Sequence, residues 1–319
     1  MERQHQDTTI SEAAWAGPED AVRGLYAAIE ESARTLEVPC EPDKVLPLLN
    51  AYGDGLAEAV VAFRVATGER RAGDLDTRFT VPREVDPYQR AVEKGLLPRT
   101  GHPVGELLGD IRAHCPVDSY GIDFGIVGGL KKIWIVLPRT DLQSVAKLAG
   151  IPSMPRGLGA SIDFFQRHGL GDTAGLLGID YRNKTVNIYF GEQPAECFEP
   201  EAIRSMLAEA GQAAPTERMI ALGRKAFGIY VTVSWDAPRL ERICFAVATA
   251  NPLELGVPID PRIERFVEHV RASQTNRKFV YAVASQPDGE YYKLQSYYRW
   301  ADEVMDIMQL SDAAIEDPV

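Results

Sequence analysis

A division of short stretches into two unlike faces constrains this chain more than any other feature. In residues 181–190, YRNKTVNIYF, apolar residues alternate with Thr185, Asn187 and Tyr189. Successive side chains of a β-strand point to opposite faces, so this stretch would have one apolar face and one polar, aromatic face. Each face needs a cover of its own kind.

Four further stretches repeat this division. Their polar or aromatic faces carry Lys132 and Trp134; Gly228, Tyr230 and Thr232; Arg242, Cys244 and Ala246; and Tyr291, Lys293, Gln295 and Tyr297. A solvated strand face ordinarily mixes Lys, Glu and Thr and has few large aromatic residues. The faces here carry Lys, Arg, Asn, Tyr and Trp and no acid, which predicts an enclosed, wet, electropositive interior. The simpler alternative is that they face bulk water.

Ten predicted strands form five hairpins with helical segments between them. The pairs are 58–67 with 74–82, 119–126 with 130–137, 173–181 with 184–190, 225–235 with 240–249, and 277–286 with 290–297. Ten antiparallel strands can close into a barrel and so remove exposed edges. A parallel sheet would need strand and helix to alternate singly. We therefore expect an α+β fold: a single-domain ten-stranded antiparallel β-barrel surrounded by α-helices.

The barrel domain is predicted to span residues 18–310, between a disordered tail at 1–17 and a C-terminal tail at 311–319. Pro18 opens the first helix, since proline is tolerated in a first helical turn. The other predicted helices are 43–52, 86–94, 104–114, 142–148, 158–167, 199–210, 216–222, 262–271 and 301–310.

Composition excludes several classes of partner. The 319 residues have a formal net charge of −12, which argues against a nucleic-acid or anionic-membrane surface. The four cysteines form no CxxC pair and predict neither a zinc site nor a disulfide framework. No apolar run of membrane-spanning length and no signal peptide is recognisable. We expect a cytoplasmic protein, a monomer in our interpretation.

Familiar catalytic motifs are missing from the sequence. It contains no GxGxxG, GxxxxGK[ST], HExxH or GxSxG. The five histidines lie in predicted tail, helix or loop segments and form neither a triad nor a metal cluster. The chemistry must therefore come from the predicted inner faces.

Cations and aromatic rings share those faces. Lys132, Arg242 and Lys293 are joined by Arg64 and Arg78 on the first hairpin. Cations that converge in a partly desolvated space need an anion, and an organic diphosphate is a natural one. Aromatic faces also stabilise a cation, by roughly 0.5–2 kcal/mol each. This combination indicates ionisation of an allylic diphosphate.

Seven segments resemble a known family. They are KVLPLL (44–49), VEKGLLPRTGHPV (92–104), GGLKK (128–132), IPSMP (151–155), VNIYF (186–190), RICFAV (242–247) and EYYKLQSYY (290–298). In order and spacing the chain resembles the soluble aromatic prenyltransferases of the ABBA (α-β-β-α) barrel family, the CloQ/NphB-like branch. The resemblance implies transfer of a prenyl group from an allylic diphosphate to an electron-rich aromatic.

The resemblance also implies roles for individual residues. The positions that match diphosphate contacts are Lys132, Asn187, Tyr230, Arg242 and Lys293. Of these, Lys132, Arg242, Lys293 and Tyr230 are expected to be catalytic. The positions expected to contact the prenyl chain or the aromatic acceptor are Ala62, Trp134, Val136, Gly175, Leu176, Tyr189, Gly228, Gln295 and Tyr297.

Two departures from the family pattern concern charge. Asp76 matches the carboxylate that holds magnesium in metal-dependent members, but Arg64 and Arg78 replace small hydroxyl residues near it. Because guanidinium groups can neutralise a diphosphate and repel a divalent ion, we predict an enzyme that needs no magnesium or other cofactor. Asn183 replaces a phosphate-binding lysine of close relatives.

The substrates are predicted less sharply. Small residues at Ala62 and Val136 favour a geranyl over a dimethylallyl donor. Gly175 and Gly228 leave space for a hydroxylated naphthalene or naphthoquinone, with a phenazine, another heteroaromatic or a simple phenolic as alternatives. Two rival functions are a non-catalytic carrier of polyphenol or prenyl ligands, and a phosphatase or isomerase acting on the diphosphate alone.

Overall fold

A computed structural model describes residues 15–68, 73–191, 193–273 and 278–299. Its ten strands form a closed barrel in which every neighbouring pair is antiparallel and the last strand pairs with the first. The strands are β1 Val61–Ala66, β2 Asp76–Pro82, β3 Ser119–Gly125, β4 Gly129–Val136, β5 Ala174–Asp180, β6 Thr185–Phe190, β7 Gly228–Ser234, β8 Leu240–Thr249, β9 Phe279–Gln286 and β10 Gly289–Arg299. The predicted fold class is confirmed.

Helices occupy the connections between hairpins. They are α1 Pro18–Thr35, α2 Pro42–Ala51, α3 Gly53–Leu56, α4 Pro87–Glu93, α5 Leu107–His114, α6 Val145–Ala149, α7 Arg156–Ala160, α8 Ile162–Arg167, α9 Pro200–Glu209, α10 Glu217–Gly223 and α11 Pro261–Ser273. In the part of the chain that the structure describes, no helix is long and apolar enough to cross a membrane.

The first helix illustrates how the outer layer forms. Pro18 occupies its first turn together with Glu19 and Asp20, whose charges suit the positive end of the helix dipole. Leu25 and Ile29, four residues apart on one face, are fully buried. The helix is therefore held by its apolar stripe.

Two apolar layers lie on opposite sides of the barrel wall. Large outward side chains such as Phe63, Phe79 and Phe245 join the helices in one extensive core. The inward cluster on β8, β9 and β10 consists largely of small residues, among them Ala246 and Ala282. Large residues therefore lie on the outer side of the wall, and small residues lie on the inner side of these three strands.

Three local predictions differ from the structure. The helix predicted at 158–167 is broken into α7 and α8, since the Ser161 hydroxyl donates to the Gly157 carbonyl at 2.8 Å, a side-chain bond that competes with regular helix. Phe227, predicted on an outer face, packs against the inner cluster. Trp15, in the predicted tail, packs beside Tyr298, with ring centroids 6.5 Å apart. The predicted helix at 301–310 and tail at 311–319 lie outside the described residues.

Chain direction gives the barrel two different ends. The connections inside the hairpins all join strands at one end, which we call the hairpin end, and the helical connections attach at the other, the helix end. Asp180 and Lys132 lie near the hairpin end, and Gly228 and Val136 lie near the helix end. The position of a residue in its strand thus gives its depth in the barrel.

Candidate active site

A hydrogen-bonded row crosses three adjacent strands on the inner wall. Asn187, Thr232 and Arg242 stand opposite one another in the registers of β6, β7 and β8. Arg242 Nη2 donates to Thr232 Oγ1 at 2.9 Å and to Asn187 Oδ1 at 3.2 Å, and Thr232 Oγ1 donates to Asn187 Oδ1 at 2.7 Å. Asn187 Nδ2 is buried without a partner among the described residues. A donor left unpaired beside a cation is suited to an anionic ligand.

Lys132 faces the interior from β4, where it pairs with Asp180 and stands opposite Asp123 in the β3–β4 register. Its Nζ lies 3.4 Å from Asp180 Oδ2. Burial lowers the pKa of Lys132 to about 8, and Asp180 only partly offsets this while Arg242 and Arg64 add repulsion. Asn183 is bonded to the same carboxylate, because its backbone and side-chain nitrogens donate to Asp180 at 2.8 and 3.0 Å.

Lys293 completes a group of three cations. Its Nζ lies 5.7 Å from the centroid of the Tyr230 ring. Among the described residues no carboxylate forms an ion pair with either Lys293 or Arg242. The structure thus brings Lys132, Arg242 and Lys293 to the inner wall, as the alternation predicted, and of the three only Lys132 is paired with a carboxylate among the described residues.

Carboxylates also face the interior, contrary to the expectation of acid-free inner faces. Asp76 Oδ2 accepts from Arg64 Nη2 at 2.6 Å, and its other oxygen is bonded to Lys131. Lys131 also donates to Asp74 at 2.9 Å. Both oxygens of Asp76 are therefore engaged by fixed cations, an arrangement that does not fit a magnesium ligand. Within the described residues no group of three metal-binding side chains occurs.

Asp123 joins the arginines to the aromatic wall. It is 1% exposed. It accepts hydrogen bonds from Arg64 Nη2 at 3.0 Å, Arg78 Nη2 at 3.0 Å and Trp134 Nε1 at 3.3 Å. Burial alone would raise its pKa, but the two guanidinium groups outweigh burial and hold the pKa well below its usual range. A single ionised carboxylate thus fixes side chains from β1, β2 and β4.

A continuous aromatic wall follows from this anchor. The Arg78 guanidinium lies 4.0 Å from the Trp134 ring centroid. The Trp134 ring meets Tyr189 edge-on at 4.7 Å, and Tyr189 lies 3.9 Å from Tyr230. Trp134 is itself only 1% exposed. The exposed parts of this wall therefore belong to Arg78, Tyr189 and Tyr230.

The residues predicted to contact the prenyl chain or acceptor lie at the middle and helix end of the barrel. Ala62 stands opposite Tyr297, and Val136 opposite Leu176. Two further pairs in the registers are Arg64 with Gln295 and Gly228 with Ala246. A Cβ added at Gly175 would lie 3.1 Å from the side chain of Leu142, in the connection between β4 and α6.

Sequence reasoning missed Asp123, Asp180 and Lys131. The signal for Asp123 was present, because Tyr120, Ile122 and Phe124 alternate with it and all belong to the outer core. The same rule of alternation would have placed Asp123 inside. Lys131 could not be found in this way, because a register shift between Asp123 and Phe124 on the partner strand interrupts the alternation there.

The chemistry that this interior can perform follows from its two parts. Near the hairpin end, Arg242 and Lys293, which have no carboxylate partner among the described residues, can bind an anionic leaving group. Tyrosine rings next to them can shield and stabilise a positive centre. A barrel interior with these two parts suits the class of enzymes that separate a diphosphate from a carbon chain and transfer the chain to another molecule.

Comparisons with known proteins agree with this class. The family described as Aromatic prenyltransferase Orf2 matches residues 21–308. A flaviolin linalyltransferase of Streptomyces virginiae is 48% identical over 277 residues, 87% of this chain and 92% of the relative. A 5,10-dihydrophenazine-1-carboxylate 9-dimethylallyltransferase of Streptomyces anulatus is 45% identical over 281 residues, 88% of this chain and 94% of the relative.

The fold also matches a solved structure. The 5-dimethylallyltryptophan synthase of Streptomyces coelicolor has a TM-score of 0.53 and 10% sequence identity over 89% of this chain and 97% of its own. This likeness concerns the fold alone. The chain belongs to the aromatic prenyltransferase family matched over residues 21–308. It is an aromatic prenyltransferase, and the carrier alternative is thereby set aside.

Proposed function

We propose that this enzyme transfers a geranyl group from geranyl diphosphate to a ring carbon of a hydroxylated naphthalene or naphthoquinone. The observation that carries the proposal is the row formed by Asn187, Thr232 and Arg242, which presents a cation and an unpaired amide donor next to Tyr189 and Tyr230. The row supplies an anion site beside aromatic faces. Lys132 and Lys293 add charge from the adjoining wall.

The proposed reaction begins with cleavage of the carbon–oxygen bond of the donor. The electron pair leaves with the diphosphate, whose growing charge Lys132, Arg242 and Lys293 stabilise. The allylic cation lies against Tyr189 and Tyr230, and a ring carbon ortho or para to a phenolic hydroxyl attacks it. Loss of that carbon's proton, to water or to the released diphosphate, restores aromaticity. Tyr230 and Asn187 contribute donors to the leaving group.

The donor proposal rests on the small side chains that line the barrel. Ala62 is buried on the inner face of β1, and Ala246 and Ala282 are buried on the inner faces of β8 and β9. An alanine-lined wall suits the longer geranyl chain better than a wall of bulky groups. The relatives support both lengths of donor, since one is named for a linalyl and the other for a dimethylallyl group.

The acceptor proposal rests on the related enzymes. The first relative is named for flaviolin, and the second for a dihydrophenazine carboxylate. A phenazine therefore remains the second candidate acceptor.

We propose that catalysis requires no magnesium. Arg64 and Lys131 already occupy both oxygens of Asp76, and Arg64 also pairs with Asp123. The sequence predicts that Arg64 and Arg78 bind the diphosphate directly, and for Arg64 this stays a prediction. The reaction should run at an unchanged rate in excess EDTA. A rate that collapses with chelator and recovers with magnesium alone would refute magnesium independence.

The function is tested by product mass. Purified enzyme is incubated with geranyl or dimethylallyl diphosphate and with a panel of flaviolin, 1-naphthol and a dihydrophenazine. We expect an aromatic product heavier by one geranyl unit, formed fastest with a naphthalene-type acceptor. Free prenyl alcohol without any aromatic product would indicate hydrolysis of the donor and contradict the proposal.

A further inference from the structure

Arg78 combines a fixed position with unused hydrogen-bond donors. Its Nη2 donates to Asp123 Oδ2 at 3.0 Å, and its guanidinium lies 4.0 Å from the Trp134 ring centroid. Among the described residues neither Nε nor Nη1 has an acceptor, and Nε is buried without one. A guanidinium carries five N–H donors in a planar fork, so most donors of Arg78 have no partner.

The positive charge of Arg78 is only partly neutralised. Its carboxylate partner, Asp123, also accepts from Arg64 at 3.0 Å. Arg64 has a second carboxylate partner in Asp76, whereas Arg78 forms no other ion pair with a described residue. Two guanidinium groups thus share Asp123, and Arg78 has no second carboxylate among the described residues.

That charge lies in the aromatic part of the barrel. On β2, Arg78 is two residues farther from the hairpin end than Asp76, and it stands opposite Ala62, whose other neighbour is Tyr297. Burial raises the pKa of Tyr189, Tyr230 and Tyr297, and the charge of Arg78 opposes that rise at all three. Arg78 is therefore close to Tyr189 and Tyr297, which are expected to border the prenyl chain or the acceptor, and to Tyr230.

We propose that Arg78 binds an acidic oxygen of the aromatic acceptor, so that the preferred acceptors are hydroxylated arenes bearing a carboxylate or an ionised enol or phenol. This inference rests on the proposed function and narrows its substrate class. The planar fork pairs with a carboxylate through two parallel hydrogen bonds. Held by Asp123 and Trp134, it would orient the acceptor ring beside Tyr189 and Tyr230.

An oxygen anion in this position could also come from the donor's diphosphate. The two sources differ in which substrate responds to loss of the guanidinium. A contact with the acceptor affects only acceptors that carry the acidic group. A contact with the diphosphate affects every acceptor equally and raises the KM of the donor.

The test compares 1-hydroxy-2-naphthoate with 1-naphthol at saturating geranyl diphosphate. Wild-type enzyme should favour the naphthoate at least tenfold in kcat/KM. Arg78→Gln should reduce that preference at least tenfold, in addition to any loss of kcat/KM that the two acceptors share. Arg78→Lys should retain part of the preference. Arg224→Gln, which removes an exposed cation, should leave the preference unchanged. An equal loss with both acceptors and a raised donor KM, or no preference in the wild type, overturns the proposal.

Binding separates this inference from the proposed function. Calorimetry with enzyme preloaded with inorganic diphosphate should show that naphthoate binds wild type at least tenfold more tightly than Arg78→Gln. If neither acceptor is prenylated but this difference persists, the proposed function fails and the Arg78 site stands. If both variants bind naphthoate as wild type does, the Arg78 site fails. If circular dichroism shows that Arg78→Gln does not fold, the charge-retaining variant Arg78→Lys replaces it in both experiments. A variant Arg78→Lys that binds and prefers naphthoate as the wild type does would overturn the two-bond contact.

Discussion

At the scale of single residues, Lys132 is a lysine that holds its proton weakly. Burial lowers its pKa to about 8, against opposition from Asp180. An unfolded lysine keeps its proton to about pH 10.4. Because the folded state loses the proton first, the contribution of Lys132 to the free energy of unfolding rises as the pH rises from about 8 to the ordinary lysine value. A bound diphosphate should raise the pKa of Lys132 again, because it stabilises the protonated form.

The predicted consequence is proton uptake on ligand binding. At pH 9 roughly nine-tenths of Lys132 is neutral, so inorganic diphosphate should draw a proton onto it, and affinity should fall from pH 7 to pH 9. Calorimetry in two buffers of different ionisation enthalpy measures this uptake. Lys132→Arg is the control, because it keeps the positive charge at all these pH values. Proton uptake by the diphosphate itself is the same in both proteins and is removed by subtraction. Identical proton uptake by wild type and Lys132→Arg at pH 9 would contradict the assignment.

Lys293 is the second prediction at this scale. It has no carboxylate partner among the described residues and lies 5.7 Å from the Tyr230 ring. Lys293→Ala should lower kcat by about 10²–10³-fold, the range seen when a group stabilising developing negative charge is removed. Acceptor binding, followed by calorimetry, should stay within about threefold of wild type. Parallel losses in turnover and acceptor affinity would instead assign Lys293 to the acceptor.

At the scale of elements, β5 supports the aromatic wall from behind. Gly178 stands opposite Trp134 on one side and Asn187 on the other. A Cβ added at Gly178 would lie 2.6 Å from the Trp134 ring. The indole occupies the space that any side chain would need, so the glycine is required by close approach rather than by backbone conformation.

Gly178→Ala should therefore destabilise the protein, although alanine by itself favours folding because it lowers the conformational entropy of the unfolded chain. The expected loss is about 1–3 kcal/mol in the free energy of unfolding, the usual cost of overpacking, measured by urea denaturation. Gly228→Ala is the matched control, since its added Cβ meets only ordinary contacts at 3.4 and 3.5 Å. Equal stability of the two variants would show that the Trp134 ring moves aside at no cost.

At the scale of the whole molecule, charge of opposite sign is separated between surface and interior. The formal net charge is −12, yet Arg242 and Lys293 face the barrel without carboxylate partners among the described residues. Excess positive charge in a partly desolvated interior destabilises the empty protein. An anion that enters the barrel should relieve this cost.

Inorganic diphosphate at about a hundred times its Kd should therefore raise the melting temperature by roughly 5 °C. Differential scanning fluorimetry measures the shift, with sulfate at equal ionic strength as the control. Arg242→Ala combined with Lys293→Ala should remove most of it. A shift that survives in this double variant would locate the anion elsewhere.

Strand order and face were readable from the sequence because a side-chain period of two is a local property. It separated Lys132 and Trp134 from the outward Ile133, and it placed Arg242 and Lys293 inside. Which inward groups touch is set by register and barrel closure, and these depend on residues far apart in the chain. That is why Asp123, 59 residues from Arg64, was not found as its partner.

The chain by itself determined ten strands, their inward cations and rings, and the family, because alternation and local motifs are written in neighbouring residues. Only the folded barrel decided how those charges are shared. The strand registers place Asp76 between Arg64 and Lys131, and Asp123 between Arg64 and Arg78, while leaving Arg242 and Lys293 unpaired among the described residues. The strength of a charge depends on distance and burial, and both are properties of the assembled wall.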